Sequence, residues 1–133
     1  MLAWDLVRTF RKQFSVESVL ALGRGELDIT SKESIRSVFS AVRPTWVFNT
    51  AAYTSVDGAE GEKEKAEAIN AEGPAFLADA CRASGARLVH FGTDQVFDGR
   101  AQAPRTEAEI PVPSNHYAAT KLRGEQAVLQ NKG

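Results

Sequence analysis

The chain has 133 residues, 43% of them hydrophobic, a formal net charge of −1 and a single cysteine. That length suits one domain with a real core. The near-neutral balance gives no footprint for nucleic acid or an anionic membrane surface. One cysteine excludes an internal disulfide framework and fits a reducing, cytoplasmic setting, and there is neither an apolar run of about 20 residues nor a signal-peptide pattern.

Residues 1–14 read as an amphipathic helix, with Leu2, Leu6, Val7 and Phe10 on one face. Residues 18–22 (SVLAL) are a short apolar run, expected to be a strand, broken by Gly23-Arg24-Gly25-Glu26. Leu27-Asp28-Ile29 is expected to be a second short strand. Thr30-Ser31-Lys32-Glu33 then has capping-box spacing, with Thr30 as N-cap of a helix carrying Ile35, Val38, Phe39 and Val42 and stopped by Pro44. Trp46-Val47-Phe48 is a buried strand running into Asn49-Thr50-Ala51-Ala52-Tyr53, and the small residues there allow a ligand to approach the backbone. Residues 60–83 read as one long helix with a charged first part, a buried stripe through Ala66, Ile69, Gly73, Phe76, Leu77 and Ala80, Asn70 on or near that stripe, and a kink at Pro74. Cys81 falls in this pattern as a small buried residue. Gly85 closes the helix and residues 87–91 form the next strand, on which His90 reads as a core or edge histidine.

Residues 88–121 hold the chemistry. A strand delivers Thr93 at its carboxyl end, where open α/β sheets bind ligands. After a proline-containing loop, residues 100–116, a candidate lid, comes a helix from Tyr117 to about residue 130. Tyr117 and Lys121 are four residues apart and share a helix face. A free tyrosine has a pKa of about 10, and a neighbouring ammonium favours the phenolate. Thr, Tyr and Lys together suit binding and protonating a carbonyl oxygen as hydride arrives.

The stretches NTAAYTSVDGAE (49–60), GTDQVFDG (92–99), TEAEIPVPSNHY (106–117) and YAATKLRGEQAV (117–128) resemble the extended short-chain dehydrogenase/reductase family, most closely its dTDP-4-dehydrorhamnose reductase branch. The resemblance covers nearly the whole chain and implies an α/β fold: a partial Rossmann-like parallel sheet with flanking helices. Met1-Leu2-Ala3 stands about where the family's glycine-rich loop ends, so the first strand and that loop are expected to lie outside residues 1–133, which then form a truncated dinucleotide-binding domain without a complete substrate domain. The sheet positions beside residues 18–22 and 46–48 would lose a shared neighbour, leaving strands prone to associate.

By resemblance the catalytic residues are Thr93, Tyr117 and Lys121. Asp28, Asn49, Ala51, Ala52, Tyr53 and Lys121 would line the site of NADPH or NADH. Arg24 either meets a ribose 2′-phosphate or is a solvated loop arginine. Asp28 either lies beside the adenine amino group or serves a turn. Thr54, Val56, Asp94 and Gln95 would lie toward a nucleotide-sugar substrate, and no metal ligands are expected. The implied reaction is reduction of dTDP-4-dehydro-6-deoxy-L-mannose to dTDP-L-rhamnose, with residues 1–133 expected to be inactive on their own and a homodimer as a possible assembly. The alternatives are another nucleotide-sugar reductase or epimerase, or a non-catalytic regulatory subunit like the methionine adenosyltransferase β subunit. Three departures stand out: Gly92 replaces the usual serine, Gln95 the usual tyrosine, and Gly58 a common lysine.

Overall fold

Two parallel strands, β1 (Trp46–Asn49) and β2 (Arg87–His90), form the sheet among the described residues, paired from Trp46 with Arg87 to Asn49 with His90. The computed structural model describes residues 2–100 and 104–130. Parallel neighbours need a helical crossover. Here it comprises α3 (Val56–Gly61), α4 (Lys63–Glu67), a π-helical turn (Ala68–Glu72) and α5 (Gly73–Ser84). The single long helix expected over 60–83 is thus three helices and a wide turn. Pro74, in the first turn of α5, has no N–H to donate back into the preceding turn, and the chain widens to the π geometry just before it. Gly85, at φ 76°, ends α5 in the left-handed conformation that a glycine adopts without penalty.

α1 (Leu2–Gln13) precedes a 3₁₀ turn (Val16–Ser18). α2 (Lys32–Val42) and α5 pack together, and Ile29, Ile35, Phe39, Leu77 and Cys81 form the buried core between them and the sheet. Burial raises the Cys81 thiol pKa to about 11, as suits an inert core position. α6 (His116–Gln130) lies across the π turn, α5 and β2. Asn115 caps it, its Oδ1 accepting the Ala118 N–H at 2.8 Å.

Two expected strands do not form. Ser18 ends the 3₁₀ turn, and residues 19–22 and 27–29 form no ladder, because among the described residues no strand lies beside them. The N-cap of α2 is Ser31, whose Oγ accepts the Ser34 N–H at 3.2 Å; Thr30 instead donates its hydroxyl to Asp28. The free edge of β1 carries Trp46 (50% exposed) and Phe48 (38% exposed), the latter covered on one side by Phe10 of α1 with ring centroids 4.8 Å apart. No described residue of α1 is buried. Part of the expected lid, residues 101–103, and the helix end beyond 130 lie outside the described residues. Within the rest of that loop Arg105 bonds Asp98 and Glu109, each at 2.6 Å.

Candidate active site and cofactor cleft

Register puts Asn49 beside His90, so both strands deliver their carboxyl ends to the same side of the sheet. Beside the end of β1 a cleft of about 320 Å³ opens, bordered by Arg24, Asp28, Asn49, Ala51 and Ala52 and floored by Ile69 and Leu77. Five of the residues expected at a dinucleotide are therefore gathered in one place.

The Asp28 carboxylate is built for ionisation. Its Oδ1 accepts the Thr30 hydroxyl at 2.7 Å and the Thr30 N–H at 2.9 Å. Those two bonds, aided by the Arg24 charge, hold its pKa below the usual carboxylate value. Arg24 is exposed at the rim. Asn49, by contrast, is buried and committed internally: its Oδ1 accepts the Ala51 N–H at 3.1 Å and its Nδ2 lies 3.2 Å from His90 Nδ1. It shapes the floor by tying β1 to β2.

Tyr53 is fixed at its backbone. The Asn70 amide, 1% exposed, accepts the Tyr53 N–H at 2.8 Å and donates to the Tyr53 carbonyl at 3.0 Å. The Asn70 Nδ2 also donates to Thr120 Oγ1 at 3.1 Å, and that hydroxyl donates to the Tyr117 carbonyl at 2.7 Å. The Tyr53 side chain turns away from the cleft. Its hydroxyl donates to Glu62 at 2.5 Å, the main cause of a raised phenol pKa. Gly58 makes this possible, since a Cβ there would stand 2.6 Å from the Tyr53 oxygen. Thr54 is exposed and Val56 half-buried at the start of α3.

α6, which carries Tyr117 and Lys121, packs against β2 and against the turn that follows Thr93. Thr93 caps the 3₁₀ turn Asp94–Val96, its Oγ1 accepting the Gln95 N–H and donating to Asp94, at 3.3 and 3.4 Å. Asp94 and Gln95 are exposed. Tyr117 is half-buried in the first turn of α6. Lys121, one turn on, is only 3% exposed and its Nζ donates to the Phe91 carbonyl at 2.5 Å. Burial lowers the Lys121 pKa, and the nearby Glu125 carboxylate partly offsets that. His90 is pushed down to about 4, first by burial and then by the Lys121 charge, and its Nε2 is buried without a hydrogen-bond partner. It is thus a neutral core histidine. Lys121 thus fixes an ammonium against the chain just after β2, and Tyr117 stands one turn before it on α6.

Sequence reasoning passed over three residues that build the cluster. Thr120 anchors α6 to Asn70. Gly124 lets the helix approach, for a Cβ there would lie 2.1 Å from the Asn70 carbonyl oxygen. Glu125, half-buried, accepts the Thr93 N–H at 3.3 Å. Its spacing of four from Lys121 was the available signal.

The family model of the RmlD substrate binding domain matches residues 1–133. A dTDP-4-dehydrorhamnose reductase of Streptomyces griseus is 49% identical over 113 residues, covering 85% of this chain and 37% of that protein. A dTDP-4-keto-6-deoxy-D-glucose reductase of Streptomyces niveus is 43% identical over 129 residues, 97% of this chain and 44% of the other. The crystal structure of dTDP-4-dehydrorhamnose reductase from Bacillus anthracis, in complex with NADP, superposes with a TM-score of 0.85 at 35% identity, over 92% of this chain and 45% of that one. The chain thus spans less than half the length of these relatives. With a match over every residue, and with the truncated Rossmann-like sheet and its Tyr117/Lys121 helix in place, this chain belongs to the RmlD substrate binding domain family.

Proposed function

We propose that this chain carries the cofactor-facing and acid–base part of an NADPH- or NADH-dependent reductase that converts dTDP-4-dehydro-6-deoxy-L-mannose to dTDP-L-rhamnose. The observation that supports the reading is the buried Lys121, bonded to the Phe91 carbonyl two residues before Thr93 and placed one helical turn after Tyr117 on α6, at the same end of the sheet as the Arg24/Asp28 cleft. The cleft suits the adenosine end of a dinucleotide. The low pKa of Asp28 suits it to accept from an adenine amino group, and the exposed Arg24 at the rim would suit a 2′-phosphate. When bound there, a nicotinamide would supply hydride to the sugar C4. Thr93 then holds the carbonyl oxygen, the Tyr117 hydroxyl donates its proton to that oxygen, and the Lys121 ammonium stabilises the phenolate left behind.

A second substrate assignment within the same chemistry is another dTDP-linked 4-keto sugar. The Streptomyces niveus relative, named for a different 4-keto sugar, favours it. The test uses a protein of the relatives' full length that carries these residues. Tyr117→Phe should cut turnover by about a hundredfold or more, the scale of losing a positioned acid, with cofactor affinity nearly unchanged. Near-normal turnover by that variant would remove Tyr117 from the proton-donor role. Comparing the two keto sugars on the parent protein decides the substrate.

A further inference from the structure

Residues 91–93 are gripped from one side by two charged residues of α6. Lys121 takes the Phe91 carbonyl at 2.5 Å, and Glu125, one helical turn later, takes the Thr93 N–H at 3.3 Å. Between those two contacts lies Gly92. A Cβ at that position would stand 2.4 Å from Glu125 Oε1 and 2.8 Å from its carboxyl carbon. The carboxylate therefore occupies the space that any side chain at 92 would fill. We propose that Glu125 is a positioning residue, which enters the space left by Gly92, holds the Thr93 backbone and so sets the direction in which the Thr93 hydroxyl faces the reacting carbonyl.

The physical logic is local. Thr93 leaves β2 and begins a 3₁₀ turn, so its backbone is not held by the sheet ladder. A peptide N–H held by a carboxylate makes a charge-assisted bond, stronger than a neutral one. The Lys121 contact fixes the carbonyl two residues earlier, and together the pair leaves little freedom for the peptide planes between them. Burial raises the Glu125 pKa, with the Thr93 N–H and then the Lys121 charge opposing that rise. The proposal gives Thr93, Lys121 and Gly92 one shared geometry. Its catalytic meaning rests on the reductase reading above, but the contact itself does not.

The test is nuclear magnetic resonance on the 133-residue chain, labelled to follow the Thr93 amide and the Glu125 side-chain carboxyl carbon against pH. Three other charged or titratable groups face this corner: Lys121 from α6, His90 from β2 and Asp94 from the following turn. The Thr93 amide should shift with the same midpoint as the Glu125 carboxyl. In Glu125→Gln that component should vanish, while any contribution from Asp94 or His90 stays. In Gly92→Ser the displaced carboxylate should lose the amide, so that the component again vanishes and Glu125 titrates at lower pH. A Thr93 amide that ignores Glu125 in the wild type, or keeps its response in Glu125→Gln, overturns the proposal. If either variant fails to fold, the wild-type titration alone decides. No step needs turnover, so failure of the reductase reading in a protein of the relatives' full length would leave this result standing.

Discussion

Gly124→Ala puts the packing argument at its sharpest, because helix propensity and tertiary contact predict opposite signs. Alanine should stabilise a helix interior by about 0.8–1 kcal/mol relative to glycine. At position 124, however, the new Cβ would lie 2.1 Å from the Asn70 carbonyl oxygen, 3.2 Å from its carbon and 3.4 Å from Pro74 Cγ. Two of those atoms are backbone and cannot rotate away, so α6 must move by roughly 1 Å to restore ordinary contact. Overpacking of this kind costs about 1–3 kcal/mol. The movement also pulls Thr120 from Asn70, whose buried amide is then short of an acceptor, at about 1–3 kcal/mol. After the helix gain the net loss is roughly 1–5 kcal/mol. With a urea m-value of about 1.5 kcal/mol/M, the unfolding midpoint should fall by roughly 1–3 M. Gly61→Ala is the internal control: it lies at the end of α3 with nothing within 4 Å of the added Cβ, and should be neutral or slightly stabilising. If Gly124→Ala matched Gly61→Ala in urea, the close approach of α6 to the π turn would not be what fixes this glycine.

Two further outcomes can be read with standard assays. In a protein of the relatives' full length, Arg24→Ala should weaken NADPH binding more than NADH binding, since only NADPH carries the 2′-phosphate; calorimetric titration showing equal weakening would mean that Arg24 does not read the ribose. His90 should make the fold acid-sensitive. Its folded pKa, about 4, lies below the ordinary 6.5, so the unfolded chain binds the extra proton first and stability, full above about pH 6.5, is lost as pH falls toward 4. The gap caps the effect at roughly 3 kcal/mol, and partial exposure of the ring reduces it to about 1–2 kcal/mol. The check is the difference in urea stability between pH 7 and pH 4.5 for wild type and His90→Gln, and an equal pH dependence in both would exclude His90 as its source.

The elements that could be read from sequence are those whose signal is local. The 3.6-residue stripe of α2, the apolar runs that became β1 and β2, Gly85 as a helix stop and the Tyr117/Lys121 spacing all depend on residues within a turn or two of each other. Pro74 announced a break in the crossover helix, though not that the break would be a π turn. Residues 18–22 and 27–29 have strand-like composition yet form no strand, because a ladder needs a neighbour and composition cannot supply one. The capping box at Thr30 failed by one residue for a similar reason: the Thr30 hydroxyl had a better acceptor in Asp28, which freed Ser31 to cap. The pairings of Gly92 with Glu125 and of Asn70 with Gly124 join positions far apart in sequence, where periodicity carries no information.

Those distant pairings also hold the backbone around the site. The Asn70 amide uses its oxygen and its nitrogen on Tyr53 and Thr120; Asn49 uses both ends on Ala51 and His90. Both amides are thereby held in one orientation. Each fixes a piece of backbone at the carboxyl end of a strand, so that the loop after β1 and the start of α6 are referred to the same buried atoms. A substrate or dinucleotide entering between them would meet groups already held in place, which is what lowers the cost of assembling a reactive geometry. Asn70→Leu should therefore be worse than Asn70→Asp for the fold, although leucine is the better core residue. The leucine leaves the Tyr53 N–H and the Tyr53 carbonyl short of partners at once, at about 1–3 kcal/mol for each group that stays buried, whereas aspartate keeps the acceptor that the Tyr53 N–H needs. Urea unfolding of the two variants side by side tests this, and a leucine variant as stable as the aspartate one would show that solvent reaches these groups freely.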